Sequence, residues 1–485
     1  MRRLGTLLAI TALTGCSLQP AYRRPDPAIP PSWPVGDAYL RQSEADLPAI
    51  TYRDIFRDPR LRALIERALA NNQDLRAALA NVASARAQYR VAHAALFPEI
   101  DASGGVTVRR QAENGGSTAS TGGGASANSG GDRTTTSYSA EIGTTAFEID
   151  LFGRLRSLSN AAFDEYLGTE AAARAARLTL VAGVATAYLQ LAADRSLLAI
   201  AEDTERSAQK SVDLTRARLQ GGIAPRTDLR QAETILATAQ SDEAALVTAV
   251  AQDRNALELL VGAPVADADL PASLEAVDGL LAELPAGLDS GILLRRPDVV
   301  QAEYQLRAAD ARIGAARAAF FPRISLTALA GLASTALSGL FTGGAFTWSI
   351  APSATLPIFD GGANRGNLRY AEAQRDLAVA NYRKAIQTAF RDVADALARR
   401  GTIDRQFTAD RRLEEAARDS LFLATARYRE GIDAYLATLD AQRTLYSARQ
   451  TLTTTRLVRA QNLVALYQAL GGDQLVAELP AVRGR

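Results

Sequence analysis

The hydrophobic pattern along the chain changes its period several times. Apolar and polar residues alternate between residues 100 and 109, and a clearer alternation runs from Phe346 to Ile358. A period of two is that of a β-strand with one apolar and one polar face. The pattern predicts four strands, at about residues 100–110, 134–149, 323–334 and 345–357.

The segments between the strands predict unusually long helices. Asp58 followed by Pro59 is a strong helix start, and no Pro or Gly interrupts residues 60–96. Residues 154–219 and 358–479 contain no proline. A helix of about 66 residues would run roughly 100 Å, so it must pack along neighbouring helices in a bundle or tube. A two-stranded coiled coil would explain the helices equally well, but it gives the strands no role.

Four pairs of short motifs occur in the same order in the two halves of the chain. The pairs are 94–98 with 318–322, 151–153 with 358–361, 217–223 with 426–432, and 259–262 with 468–471. The offset is 224 in the first pair and 207–209 in the others, so the first half carries about 17 additional residues. They coincide with a Gly/Ser/Thr/Asn-rich run that is typical of a flexible loop, at 115–131. We infer a duplicated helix–strand–strand–helix repeat.

Strands of this kind can enter a lipid bilayer only in a closed barrel, because lipid cannot pair with backbone groups. Four strands are too few, since the smallest outer-membrane barrels have about eight. Two chains would supply about eight strands and three about twelve, so membrane strands would require an oligomer. Phe346 and Trp348, with Phe341 nearby, are typical of an aromatic girdle at a membrane interface. The edge of a soluble β-sandwich is the alternative.

The first 15 residues are typical of a secretory signal. Arg2 and Arg3 precede an apolar run at 4–13 that is too short to span a bilayer. Residues 13–16 (LTGC) resemble the bacterial lipobox, which predicts acylation of Cys16, the only cysteine. A plain signal peptide with an incidental thiol is the alternative.

The residues after Cys16 predict how the mature chain is attached. Acyl chains on Cys16 would anchor it to outer-membrane lipid, because Ser17 stands where lipoproteins retained in the inner membrane usually have Asp. Six prolines lie between residues 20 and 34, and they predict an extended tether.

Composition narrows the possible functions. Net charge is +1, which gives no indication of nucleic acid as a partner. With one cysteine and one histidine, His93, the chain has too few ligands for a Cys- or His-based metal site, and we expect no metal or cofactor. His93 is expected to be a packing or surface residue, and the chain has no P-loop motif. We therefore expect no catalytic residues and no enzyme.

Taken in order, these motifs resemble the TolC-type outer-membrane efflux factors, in the lipoprotein subgroup of RND-type multidrug efflux systems. The resemblance covers nearly the whole mature chain. It also rests on residues 294–299 (LRRPDV), 359–362 (FDGG) and 436–442 (LATLDAQ). It implies a mainly α chain with membrane β, forming a homotrimer whose twelve-stranded β-barrel is continuous with a long periplasmic α-helical barrel. The implied partners are a periplasmic membrane-fusion (adaptor) protein and an inner-membrane RND-type transporter.

The resemblance divides the chain into six expected segments. They are a signal peptide at 1–15, a lipidated tether and equatorial segment at 16–58, a first repeat at 59–264, an inter-repeat equatorial segment at 265–296, a second repeat at 297–472, and a C-terminal tail at 473–485. Parts of the tether, the inter-repeat segment and the tail would form an equatorial belt.

The resemblance also implies two kinds of site near the turns between the long helices. Residues at the turns match the family's tip motif, where an adaptor hairpin docks: Arg218, Gly222, Ile223, Arg427, Gly431 and Ile432. Residues that would constrict the closed periplasmic entrance are Asp228, Tyr428, Asp433 and Asp440. Asp433 stands where the family's best-known member has an arginine, which indicates a different set of gate bonds. Simple helix termination at the glycines and solvated carboxylates are the alternatives.

The predicted function is an outer-membrane channel that passively conducts drugs or other small molecules from an adaptor and pump to the exterior. A duct for protein secretion is the alternative within the channel class. A periplasmic adaptor also has helical hairpins and an N-terminal lipid, but it should contain one hairpin and a compact β-rich module. The duplicated strands disfavour it.

Overall fold

The computed structural model of the chain describes residues 18–27, 29–30, 33–34, 51–111, 133–277 and 290–472. Cys16 and the glycine-rich run at 115–131 lie outside the described residues, as does the tail at 473–485. The helices are α1 (Tyr52–Ile55), α2 (Pro59–Asn71), α3 (Gln73–Ala94), α4 (Arg154–Gln220), α5 (Arg226–Val261), α6 (Pro297–Ala318), α7 (Ala363–Arg429) and α8 (Tyr435–Ala469). The strands are β1 (Asp101–Gln111), β2 (Arg133–Ile149), β3 (Arg323–Ser334) and β4 (Phe346–Thr355).

The chain divides into two compact units, each built from three stretches of sequence. The sheet unit comprises residues 1–24, 85–166 and 305–378, and the helical unit comprises residues 25–84, 167–304 and 379–485. Helix pairs of the two repeats contribute to both units, as expected for a duplicated fold.

The sheet is an antiparallel meander in the order β1-β2-β3-β4. Between β2 and β3 the register shifts at a bulge from Thr144 to Phe147. Within the described residues, β1 and β4 each pair with one strand, so each leaves one edge without a partner. An edge of unpaired N–H and C=O groups cannot stand in lipid, so a sheet of this kind can lie in a membrane only where further strands pair with both edges.

One face of the sheet is apolar and exposed. Its most exposed apolar side chains are more than 60% accessible: Val106, Val108, Phe346, Trp348 and Ile350. Val106 pairs with Tyr138, and Tyr138 pairs with Ser334. Two residues before Ser334 on the same strand, Leu332 pairs with Phe346. Because residues two apart share a face of a sheet, all five side chains lie on one side. The alternation in the sequence therefore gives a continuous apolar band, which is the surface that lipid covers in a membrane barrel.

Glycine is required where β2 and β3 approach most closely. A Cβ at Gly143 would lie 2.0 Å from the carbonyl oxygen of Ala328, and one at Gly331 would lie 2.2 Å from that of Ala140. No side chain can be placed at either position without separating the strands.

The FDGG motif is a turn from strand to helix. The Asp360 carboxylate accepts the backbone N–H groups of Gly362 and Asn364, both at 2.8 Å, at the start of α7. Gly361 and Gly362 have φ of 62° and 92°, a region that L side chains rarely adopt. In the first repeat Asp150 accepts the N–H of Arg156 at 2.9 Å. An aspartate therefore caps the start of each long helix that follows a strand pair.

The prediction of one unbroken helix from Pro59 to Leu96 is wrong. The chain leaves the helical conformation at Asn72, where ψ is 131°, and α3 begins at the next residue. The Asn72 side chain accepts the N–H of Leu75 at 2.9 Å and donates to the carbonyl of Leu260 at 3.0 Å. Asn is a good N-cap, but the second bond depends on a residue 188 positions away.

The core of the helical unit is formed by α1, α2, α4, α5 and α8. Its fully buried members include Ile65, Tyr188, Leu191 and Leu257. The Tyr188 hydroxyl donates to Asp58 at 2.8 Å, so the cap of α2 also satisfies a buried phenol. Among the described helices, α4 alone has a stretch apolar enough to cross a membrane, with mean hydropathy 1.3, but 56% of that stretch is buried in protein. The apolar side chains of this stretch of α4 are therefore part of the protein core.

The LRRPDV motif joins the start of the second repeat to its last helix. Arg296 is 9% exposed, and its guanidinium donates to the Ala469 carbonyl at 2.9 Å and to Asp298 at 2.7 Å. A third acceptor, Asp392, lies at 3.4 Å. This arginine therefore satisfies a carbonyl at the end of α8 while Pro297 begins α6.

Two carboxyl groups meet between α4 and α5. Asp194 is 9% exposed, and its carboxylate accepts from Gln190 at 3.2 Å. Burial, and then a hydrogen bond to Asp194, raises the pKa of Asp253 to about 7. The folded protein therefore keeps a proton on Asp253 over a pH range in which the unfolded chain, with a pKa of about 3.9, has lost it.

We predict that stability falls as pH rises from about 4 to about 7, because the folded state binds the extra proton in that range. Asp253→Asn should remove this part of the pH dependence and raise the Tm at pH 8 more than at pH 5. Thermal unfolding of the detergent-solubilised protein at both pH values measures the effect. Asp419→Asn, at an exposed position on α7, is the control. The prediction fails if Asp253→Asn and Asp419→Asn show the same pH dependence.

Candidate adaptor-docking tips and gate

The two long helix pairs turn back through the same backbone motif. In the α4–α5 turn the N–H of Ile223 donates to the carbonyl of Arg218 at 2.9 Å, and Gly222 has φ of 70°. In the α7–α8 turn the N–H of Ile432 donates to the carbonyl of Arg427 at 2.9 Å, and Gly431 has φ of 73°. This is the Schellman termination, which requires a left-handed residue after the helix.

The isoleucines after these glycines extend into solvent. Ile223 is 77% exposed and Ile432 is 63% exposed. A Cβ at Gly222 or Gly431 would meet no described atom within 4 Å. Each tip thus has an uncovered backbone and one apolar side chain that a partner surface could bury.

Among the described residues, the second tip has an ion pair that the first tip lacks. Arg427 donates to both carboxylate oxygens of Asp433, at 2.6 and 2.9 Å. Its hydrogen bonds hold the pKa of Asp433 below the usual range of a carboxyl. At the repeat offset of 209, Asp433 corresponds to Ala224, so Arg218 has no equivalent carboxylate.

Arg218 instead contacts the other helix pair. Its guanidinium carbon lies 4.4 Å from the ring centroid of Tyr428, a cation–π contact. Tyr428 is 7% exposed, and its ring centroid lies 5.0 Å from that of Tyr435. The cluster around these rings includes Val212 and Leu229. Within the single chain, Tyr428 is therefore packed between α4 and α8.

The two candidate gate carboxylates occupy different surroundings. Asp228 is half-buried in the first turn of α5, and together with burial its charge contributes to the raised pKa of Tyr435. Asp440 is exposed in the second turn of α8 and lines a cavity of about 350 Å³ with Gln231 and Arg443. At the repeat offset these acids correspond to Ala437 and Gln231, so neither carboxylate has a counterpart in the other repeat.

Three polar contacts that the sequence did not reveal join α8 to the first helix pair. Gln442 donates to the Ser211 hydroxyl at 3.2 Å, Tyr446 to Asp242 at 2.7 Å, and Arg449 to Asp203 at 2.9 Å. The signal that could have found them is spacing, because Gln442, Tyr446 and Arg449 lie at i, i+4 and i+7 and so share one face of α8. Their partners are on α4 and α5.

Comparison with known proteins identifies the family. The outer membrane efflux protein family matches residues 64–263 and 289–472, which together are more than half of the chain.

The chain belongs to the outer membrane efflux protein family. It is 45% identical over 469 residues to the toluene efflux pump outer membrane protein TtgC of Pseudomonas putida, covering 96% of this chain and 94% of that protein. It is 40% identical to outer membrane protein OprJ of Pseudomonas aeruginosa, covering 97% and 95% of the two chains. The open state of the Neisseria gonorrhoeae MtrE outer membrane channel superposes with a TM-score of 0.81 at 35% identity, covering 95% and 99%.

The predicted resemblance to TolC-type efflux factors is therefore confirmed, and so is the mainly α fold class with a small sheet and a duplicated repeat. The similarity extends over nearly the full length of the relatives. It identifies this efflux protein as a channel component and leaves the roles of the individual tip and gate residues as predictions.

His93, near the end of α3, lies in a row of aromatic rings. Its ring centroid is 5.7 Å from that of Tyr89 and 5.5 Å from that of Phe97. Tyr89 continues the row to Phe163 at 5.1 Å. In the described part of the chain, no group of three or more His, Cys, Asp or Glu residues is arranged to hold a metal ion.

We predict that the hydrogen bond from Tyr446 to Asp242 couples the two helix pairs of this efflux protein. Burial and this bond raise the pKa of Tyr446, so the phenol remains a donor at any physiological pH. Tyr446→Phe should destabilise the protein by about 1.5–3 kcal/mol, the usual range for a hydrogen bond to a charged group. In an Asp242→Ala background the same change should cost roughly a third of that or less.

Denaturant unfolding of the four proteins in this double-mutant cycle measures the coupling. Tyr370→Phe, at a 67% exposed position on α7, is the control and should have no measurable effect. Strictly additive losses for Tyr446→Phe and Asp242→Ala would contradict the coupling.

Proposed function

We propose that this chain is the outer-membrane channel of a tripartite efflux pump and conducts small molecules passively from the periplasm to the exterior. The observation that carries the proposal is the open four-stranded sheet, which has an exposed apolar face and, among the described residues, no partner for either edge. In lipid those edges must pair with other copies of the sheet.

The size of a conducting barrel favours three copies. Two sheets would close about eight strands, whose interior is just wide enough for the side chains that fill it. Three sheets would close about twelve strands, which leaves room for a passage. A homotrimer is also consistent with the related channel structures, and it would place three copies of each long helix pair around one axis.

The rest of the pump is inferred from the family. The similar Pseudomonas putida protein is named for toluene efflux, so we propose apolar or amphipathic small molecules as the class of compound carried. The chain would receive them from a periplasmic adaptor and an inner-membrane RND-type transporter. It would catalyse no reaction itself. Acylation of Cys16 would anchor it to outer-membrane lipid.

The tips are the proposed adaptor site. The support is the uncovered backbone at Gly222 and Gly431 and the exposed Ile223 and Ile432 beside them. Because only the second turn carries the Arg427–Asp433 pair, a trimer would present six docking sites of two kinds.

The gate is proposed to involve Asp228, Tyr428, Asp433 and Asp440. Asp433 is already paired with Arg427 in the same chain, so it would act through that pair and not as a free charge. The exposed Asp440 is the carboxylate best placed for a ring of like charges in a trimer, which would disfavour anions.

We predict that the mature protein extracted in detergent runs as a trimer and conducts ions in a planar bilayer. Asp440→Ala or Asp228→Ala should raise single-channel conductance by removing charge and bulk from the entrance. A monomer without conductance would refute the channel. Unchanged conductance in both variants would instead remove these two carboxylates from the gate and leave the channel intact.

We also predict that cysteines at Ile223 and Ile432 cross-link to the adaptor in intact cells. Val247→Cys, at a 53% exposed apolar position on α5 away from the turns, is the matched control and should not cross-link. Mass spectrometry of the captured protein identifies the partner. Equal capture by the control position would exclude the tips as the specific docking site.

A further inference from the structure

The segment that follows Cys16 lies against α4 and α6 in the sheet unit. Gly314, on α6, is the point of closest approach. A Cβ there would lie 2.8 Å from the Gln19 Cα, 3.0 Å from the Gln19 Cβ and 2.8 Å from the Ser157 hydroxyl oxygen. Real Cβ atoms essentially never come this close to other atoms, so any other residue would displace the segment or separate the helices.

Two further contacts hold the same segment. Asn160 on α4 donates to the Gln19 side-chain carbonyl at 3.1 Å. The guanidinium carbon of Arg307 on α6 lies 4.6 Å from the Tyr22 ring centroid. Burial raises the pKa of Asp164 on α4 to about 6, and the charge of Arg307 opposes that rise. The described residues 18–24, which overlap the start of the predicted extended tether at 20–34, are therefore held at several points.

The contact surface between α4 and α6 differs from the corresponding surface in the first repeat. At the offset of 224 that relates the end of α3 to the end of α6, Gly314 corresponds to Arg90. At the same offset Arg307 corresponds to Ala83. The first repeat therefore lacks both the glycine that admits the segment and the arginine that contacts Tyr22. Of the two corresponding surfaces, only the one in the second repeat has the residues that contact the N-terminal segment.

We propose that the α4–α6 groove, defined by Ser157, Asn160, Arg307 and Gly314, is a dedicated seat for residues 18–24 that fixes where the lipid-bearing N-terminus meets the bilayer. Its last step rests on the proposed acylation of Cys16. Gln19 is three positions after Cys16, and three extended residues reach about 11 Å at most. The acyl chains must then enter lipid close to the sheet unit itself.

The seat has a physical consequence for assembly. A short fixed connection holds the four strands at a high effective concentration near the bilayer, whereas a free tether would let them diffuse away over its whole length. We expect the seat to favour insertion and pairing of the sheet edges.

A disulfide tests the seat directly. In Gln19→Cys with Gly314→Cys, the two Cβ positions would be 3.0 Å apart, about 0.8 Å less than the usual distance across a disulfide. The new Cβ at 314 therefore displaces the seated segment by less than 1 Å before the bond forms. We expect most of the protein to form this bond on mild oxidation, detected as a linked peptide pair by mass spectrometry. Gln19→Cys with Arg90→Cys, the repeat-equivalent position, is the matched control and should form less than a tenth as much.

Proteolysis tests the seat without added thiols. Gly314→Leu should increase the rate of trypsin cleavage after the exposed Arg23 at least tenfold, because the leucine displaces the segment. Leucine is a better helix former than glycine, so a loss of α6 itself is not the expected cause. Gly343→Leu, where a Cβ would meet nothing within 4 Å, is the control.

Equal cross-linking to positions 314 and 90, or unchanged cleavage after Arg23 in Gly314→Leu, would overturn the seat. Both readouts report the position of residues 18–24 and do not require the lipid. Palmitate labelling of Cys16 in the same samples tests the anchor separately. A seated segment without label would refute acylation and the placement of the lipid while leaving the channel untouched.

Discussion

The constraint on which the rest of this structure depends is that a backbone in lipid must have every N–H and C=O paired. The chain contributes a four-stranded meander whose two outer edges have no partner in the described residues. Within one chain this sheet is incomplete, and its apolar band around Trp348 faces outward with nothing to cover it. In the proposed oligomer, pairing with other copies and contact with lipid would resolve both problems together.

Apolar packing and polar contacts dominate in different parts of the helical unit. Around Tyr188 and Leu257 the side chains are fully buried in a large apolar cluster, which resists change in spacing. Near the turns the buried cluster is small, and single polar contacts such as Gln442 with Ser211 join the helix pairs. Local opening needs least free energy where few apolar contacts are lost, so movement of an entrance is expected at the turns.

Duplication supplied two copies of each element, and the specific chemistry lies in the differences between them. Both turns share the Arg-to-Ile hydrogen bond, yet Arg427 pairs with Asp433 while Arg218 stacks on Tyr428. Both repeats contain a helix before the Phe-Pro motif, yet only the second carries Gly314 against the N-terminal segment. The two repeats therefore share a backbone but present different side chains at the turns and beside the N-terminal segment.

The sequence by itself determined the strands, the long helices, the repeat and the family. The hydrophobic period, the positions of proline and the repeated motifs can all be read from the sequence without knowing how the helices pack. It also located the turns, because the glycine of the Arg-x-x-x-Gly-Ile motif can adopt the left-handed conformation that ends a helix. Only the tertiary structure decided the break at Asn72, the burial of Tyr428, the role of Arg296 and the fit of Gln19 against Gly314. Each of these depends on an atom contributed from a distant part of the chain, such as the Leu260 carbonyl that Asn72 contacts. No local pattern specifies which distant groups will meet, because that is set by how the helices pack.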